Sequence, residues 1–116
     1  MSKDFYDNSK SDFFNQVYQV VAQIPQGKVT SYGAIANFLG AKRSSRVVGY
    51  AMNSSHRLIP PIPAHRVVNR NGQLSGKNHF TKPNEMEEKL VAEGIQIKDD
   101  QIINFKNHFW DPIELL

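Results

Sequence analysis

Residues 30–52 read TSYGAIANFLGAKRSSRVVGYAM, and the reading of this stretch decides the fold. Thr30 or Ser31 offers a hydroxyl to cap a helix over Tyr32 to Leu39, and Gly40 stands where a C-terminal glycine ends it. Ser44 caps a second helix over Ser45 to about Met52. Two short helices joined by Gly40-Ala41-Lys42-Arg43 make a helix-turn-helix.

Upstream, Phe13, Phe14, Val17, Tyr18, Val20, Val21 and Ile24 recur at helical spacing. They predict an amphipathic helix over Asp12 to Ile24, with Ser11 as its cap and Pro25-Gln26-Gly27 as its stop. Downstream, Pro60, Pro61 and Pro63 make residues 53–64 an irregular, stiffened loop. Arg66-Val67-Val68 reads as a short strand and Asn71-Gly72 as a turn. A helix is expected over Asn84 to Glu93, with Glu85, Glu87 and Glu88 at the positive end of its dipole and Gly94 after it. Ile95-Gln96-Ile97 and Ile102-Ile103 flank Asp99-Asp100 as a small hairpin. Residues 96–116, with Phe105, Phe109 and Trp110, are expected to pack back on the core. The fold class is mostly α with a small β element: a winged helix-turn-helix-like single domain over residues 1–116.

The 116 residues suffice for one modest core. No apolar run reaches the length of a membrane span, and the first residues lack the apolar centre of a signal peptide. The absence of cysteine excludes a disulfide framework, a thiolate nucleophile and a zinc-finger or iron–sulfur site, and it fits a cytoplasmic protein. The net charge of +3 is unevenly placed. From Phe13 to Asn84 there is no Asp or Glu but nine Lys or Arg, while the flanks hold all 11 acids and five bases. An acid-free basic stretch suits a polyanion, because a carboxylate in the footprint repels phosphate.

His56, His65, His79 and His108 lack the spacing of a helical metal pair, so no metal is expected. No phosphate-binding glycine loop and no nucleophile elbow occurs, and no cofactor is expected. What stands out is four blocks in order: Gly27-Lys28-Val29-Thr30-Ser31-Tyr32-Gly33, Ser45-Arg46-Val47-Val48-Gly49-Tyr50-Ala51-Met52, Ile62-Pro63-Ala64-His65-Arg66-Val67-Val68 and Gly72-Gln73-Leu74-Ser75-Gly76. Together they resemble the C-terminal DNA-binding domain of the O6-alkylguanine-DNA alkyltransferases (the methylated-DNA--protein-cysteine methyltransferase family) over about residues 12–95. The reactive motif of that family, Pro-Cys-His-Arg-Val, is here Pro63-Ala64-His65-Arg66-Val67. Alanine at the cysteine position is similar to the alkyltransferase-like proteins, which lack the nucleophile. A methyl group has no lone pair to attack an alkyl carbon.

The resemblance implies further roles, residue by residue. Tyr32 would crowd the target phosphate and help rotate the nucleotide, where the residue alone reads as a boundary tyrosine. Arg46 would enter the base stack in place of the flipped base, where the residue alone reads as a solvated helix arginine. Gly49 and Ala51 would let the second helix lie close to the DNA backbone, and Thr30, Ser31, Lys42, Arg43 and Ser45 complete the DNA-binding set. The pocket walls would be residues 58–64 and 72–76, with Pro63, Ala64, Val67, Leu74, Ser75 and Gly76 around the lesion. His65 and Glu93 match a proton relay with no thiol left to serve, and read as a retained hydrogen-bonded pair. The hinge asparagine of the family has three candidates, Asn53, Ser54 and Ser55.

Binding through the minor groove, with Arg46 as wedge, carries little sequence information and suits a scanner of damage. The implied function is non-enzymatic recognition of O6-alkylguanine in double-stranded DNA by a monomer that flags the lesion for nucleotide excision repair. The alternative is a helix-turn-helix regulator reading a specific operator through the major groove. A third reading is hydrolytic dealkylation by a water on His65.

Overall fold

The structure, a computed structural model, describes residues 4–41 and 44–116, with side chains described from residue 12 onward. Helix α1 runs Asp4–Ala22. Its start lies eight residues before the expected Asp12, so the anticipated cap at Ser11 falls inside the helix. Nothing between Asp4 and Asp12 is Gly or Pro, so no residue there stops the helix. Val17, Val20, Val21 and Ile24 from α1 and the following turn are buried, as the periodicity requires.

The helix-turn-helix is formed by α2 (Tyr32–Phe38) and α3 (Ser45–Ser54). Ser31 supplies the cap of α2: its Oγ accepts from the Ala34 N–H at 3.1 Å. At the other end Gly40 takes φ +75°, and the Ala41 N–H reaches back to the Ala36 carbonyl at 2.8 Å. Ser44 precedes α3 but makes no side-chain cap bond.

The end of the reactive-like motif, Val67, and the next residue, Val68, pair with the strand before α2. β1 (Thr30–Ser31) and β2 (Val67–Val68) are parallel, with Thr30 opposite Val67 and Ser31 opposite Val68. The sequence reading had a strand at residues 66–68 but no partner. The structure begins it one residue later, because Arg66 closes a 3₁₀ turn over Ala64–Arg66. Side chains alternate along a strand, and β2 uses the alternation to join two cores. Val67 packs with α1, α2, α3 and Trp110, whereas Val68 packs with Val29, Leu74, Met86, Leu90, Ile95 and Ile102.

The second core is closed by α4 (Glu85–Ala92) and a hairpin of β3 (Ile97–Lys98) with β4 (Gln101–Ile102). Asp99 and Asp100, with φ of 52° and 63°, turn the hairpin in the left-handed region that a two-residue loop needs. The tail then folds back through α5 (Phe105–His108) and α6 (Pro112–Leu115), and Trp110 is 5% exposed. No helix of the described residues is long and apolar enough to cross a membrane.

Candidate nucleic-acid interface and base pocket

Helix α3 divides cleanly. Val48, Ala51 and Met52 are buried, while Ser45, Arg46, Tyr50 and Asn53 are exposed on the opposite side. Ser45, Arg46, Gly49, Tyr50 and Asn53 line, with Tyr32, an open hollow of about 390 Å³. All are polar, basic, aromatic or glycine, and none is acidic. Gly49 has open space where a side chain would grow, so nothing within the described protein demands its smallness. If DNA lies against this face, an added methyl group stands in its path. Replacing Gly49 with alanine is therefore expected to raise folding stability by about 1 kcal/mol, the helix-propensity gain, while weakening DNA binding. Equal or better binding by a more stable variant would remove close approach at Gly49.

Three members of the expected DNA-binding set are placed elsewhere by the packing. Ala51 is fully buried in the first core, and its carbonyl accepts from the Tyr18 hydroxyl at 2.8 Å. Thr30 is fully buried in β1, and its Oγ1 has no hydrogen-bond partner among the described residues. Ser31 is 6% exposed and is spent on the α2 cap. Lys42 and Arg43 lie outside the described residues. Tyr32, Arg46, Gly49 and Ser45 remain together around the hollow.

The basic stretch is also reduced by internal pairing. Arg66 is bound to Glu93 and Lys77 to Asp100. Among the described residues Lys28, Arg46, Arg57, Arg70 and Lys82 of that stretch make no ion pair with an acid.

Behind Tyr32 lies a second, narrower cavity of about 10 Å³. That is room for one water at most. Ala64 forms part of its wall with Val67 and Gly76, three of the six expected pocket residues. Pro63, Leu74 and Ser75 do not line it. Leu74 is 2% exposed and belongs to the second core, because the chain alternates from buried Gly72 through exposed Gln73. Ser75 is exposed, and its side chain lies close enough to the Tyr32 hydroxyl to act on its pKa. Burial raises the Tyr32 hydroxyl above its ordinary pKa of 10.0, with Ser75 opposing, so it stays protonated at neutral pH. The rest of the wall was not anticipated: Met52 and Asn53 from α3, His56 from the 3₁₀ turn that follows, Met86 from α4, and His79 with Phe80. Of the hinge candidates, Asn53 lines both hollows, Ser54 is exposed, and buried Ser55 donates its hydroxyl to the Met52 carbonyl at 2.6 Å.

The wall segment around Ala64 is anchored by Glu93. His65 Nε2 donates to Glu93 Oε2 at 2.6 Å, and Arg66 Nη2 donates to the same oxygen at 2.8 Å. Oε1 accepts from Arg66 Nε at 3.0 Å and from the Gly27 N–H at 2.9 Å, while Arg66 Nη1 donates to the Ile24 carbonyl at 2.8 Å. One carboxylate thus ties the turn after α1 and the 64–66 turn to the end of α4. Burial by itself would raise the Glu93 pKa, but Arg66, the Gly27 N–H and His65 outweigh it and hold it at about 2. Burial lowers His65 below 6.5 despite its bond to Glu93, so the ring is neutral at pH 7. The expected His65–Glu93 pair is present, but Arg66 makes more of the bonds.

A further hollow, about 640 Å³, lies between α1 and α2, lined by groups such as Gln16, Gln23, Phe38 and Leu116. It holds no nucleophile, acid or base. No group of three or more His, Asp or Glu that could hold a metal ion occurs among the described residues.

Residues 12–95 match the family described as 6-O-methylguanine DNA methyltransferase, DNA binding domain. Alkyltransferase-like protein 1 of Schizosaccharomyces pombe is 32% identical over 105 residues, covering 87% of this chain and 96% of that protein. The DNA base-flipping protein of Escherichia coli is 36% identical over 108 residues, covering 88% of this chain and 78% of its relative. The crystal structure of S. pombe Atl1 in complex with damaged DNA containing O6-carboxymethylguanine superposes with a TM-score of 0.74 at 32% identity, over 88% of this chain and 97% of that one.

Proposed function

Because the chain belongs to the 6-O-methylguanine DNA methyltransferase DNA-binding-domain family, we propose that it is a sensor, not an enzyme: it captures O6-alkylguanine in duplex DNA and leaves the alkyl group in place. The observation that carries this is Ala64. It occupies the position of the reactive cysteine, in the wall of the cavity behind Tyr32, in a chain with no cysteine anywhere. The sulfur that would accept the alkyl group is gone, and the cavity beside Ala64 takes a base once its wall parts.

The exposed face of α3 lies along the minor groove, and Arg46 fills the space vacated by the rotated nucleotide. Rotation costs a few kcal/mol, least for a base already poorly paired, so an O6-alkylguanine is favoured before the pocket reads it. Tyr32 stands between the open hollow and the narrower cavity and lines both, where it turns the target nucleotide. Contacts to the base come from Val67, Gly76 and the neighbouring wall. A captured but unreacted lesion must be removed by other machinery, which supports a role in flagging it for nucleotide excision repair. The protein acts as a monomer in the cytoplasm, on the nucleoid.

Mass spectrometry after incubation with O6-methylguanine duplex tests the absence of chemistry. The expected result is unmodified protein and unchanged DNA; an alkylated protein or restored guanine overturns it, the latter favouring hydrolysis at His65. Selection from a random duplex pool is expected to give no consensus, and a sharp consensus would identify an operator-reading regulator. With about four to six cations on phosphates, log affinity falls against log salt with a slope of roughly −4 to −5.

A further inference from the structure

We propose that His56 and His79 set the ligand class of the pocket, favouring purines whose O6 substituent carries a negative charge. The proposal rests on the lesion-capture reading above and adds to it which adducts are held best.

The cavity, at about 10 Å³, cannot admit a base until part of its wall moves. Most of the wall is fixed. Met52, Val67 and Met86 are at most 5% exposed and belong to the two cores. Ala64 and Gly76 have no side chain to swing aside, and Tyr32 is packed against Gly76, where a Cβ would lie 2.9 Å from its hydroxyl. What remains is Asn53, His56, His79 and Phe80, exposed or half-buried on the end of α3 and on short 3₁₀ turns. The His56 and Phe80 rings meet edge to face with centroids 4.5 Å apart. A base that parts this wall then lies against it, with imidazoles among its nearest polar neighbours.

The charges around these imidazoles are one-sided. No carboxylate lines the cavity. Burial lowers the His56 pKa from 6.5, and His79 and Lys89 lower it further. Glu85 is the one acid that acts the other way, and it is ion-paired with Lys89 at 3.0 Å. His79 sits on the turn that carries Lys77, whose charge is answered by Asp100. Two imidazoles in one wall with no carboxylate lining it are what an anionic substituent would satisfy. Its arrival raises their proton affinity, so binding takes up protons and strengthens as pH falls.

The test is binding of duplexes that differ only in the target base: guanine, O6-methylguanine or O6-carboxymethylguanine. Affinities are measured at fixed ionic strength between about pH 8 and pH 6, the window of an imidazole. In the wild type the preference for carboxymethyl over methyl is expected to grow about fivefold as pH falls, the effect of one imidazolium on a nearby carboxylate in a wet site. The double variant His56→Phe with His79→Gln keeps a ring against Phe80 and removes both imidazoles, so its preference is expected to be flat. His65 is still present in that variant, so its own titration does not imitate the effect. A preference that is pH-independent in the wild type, or that persists in the double variant, overturns the proposal while leaving lesion capture intact. If neither lesion outbinds guanine in the wild type, the lesion-capture reading itself falls.

Discussion

Replacing Glu93 with glutamine is expected to cost about 3 kcal/mol of folding free energy at pH 7, or roughly 10 °C in Tm. The side chain is 9% exposed and accepts from three groups on two different segments, His65 and Arg66 on the 64–66 turn and Gly27 after α1. Glutamine fills the same space but leaves the Arg66 guanidinium, itself 16% exposed, without its counter-charge. The same contacts set the size of the pKa shift. A carboxyl held at about 2 instead of 4.5 has its ionised form favoured by about 3 kcal/mol at 1.36 kcal/mol per unit.

The sign with pH follows. Glu93 is depressed in the folded state, so its contribution is complete above 4.5 and disappears as pH falls through about 2. His65 is also depressed, and its neutral form stabilises the fold above 6.5 and progressively less below it. Both losses run toward acid. Urea melts across this range should show stability level above about pH 7 and falling below, with the lower limb flattened in Glu93→Gln. A loss under about 1 kcal/mol in that variant, the worth of an exposed pair, would contradict the clamp.

Arg46→Ala is expected to reduce discrimination between lesion and undamaged DNA about tenfold, while lowering affinity for undamaged duplex only two- to threefold. Arg46 is exposed on the outer face of α3 beside the hollow that Tyr32 shares, and among the described residues no acid pairs with it. If it served only as a phosphate contact, its loss would weaken all DNA alike and reduce the salt slope by about 0.9. As a wedge it is used in full only when a base has left the stack, so the loss of about 1.4 kcal/mol falls on the lesion complex. Lys42→Ala supplies the comparison, with uniform weakening expected. Titrations of both variants on matched duplexes decide it, and the reverse order removes the wedge.

How much of this was legible in the residues differs from element to element. The amphipathic stripe from Phe13 to Ile24, the α2–Gly40–α3 turn and the acidic start of α4 are local patterns, and periodicity finds each of them; capping was less legible, since α1 runs on past Ser11 toward the N-terminus and Ser44 makes no cap bond. The parallel pairing of Thr30–Ser31 with Val67–Val68 had no such signal, since two-residue strands far apart in the chain leave no period to read. Arg46 and Tyr32 were legible as site residues only through the ordered blocks. Arg66 looked like one more surface cation because sequence shows a charge but not its partner, and only folding brings Glu93 beneath it. Ala51 and Leu74 were expected at the DNA face and pocket, yet helix period and strand alternation turn both inward. His56, His79 and Phe80 were missed for a related reason. They lie on 3₁₀ turns contributed by separate loops, and the spacing test applied to the histidines asked only whether they form a metal pair.

The central claim is that the cavity behind Tyr32 receives an O6-alkylated guanine and keeps it without reacting. The most direct measurement is the equilibrium affinity of the wild-type protein for one duplex containing O6-methylguanine and for the same duplex containing guanine, at one salt concentration. Lesion capture predicts tighter binding to the O6-methylguanine duplex by about tenfold or more, the size of a modest difference in flipping and pocket energy. Equal affinities would contradict it and leave only a general DNA-binding domain.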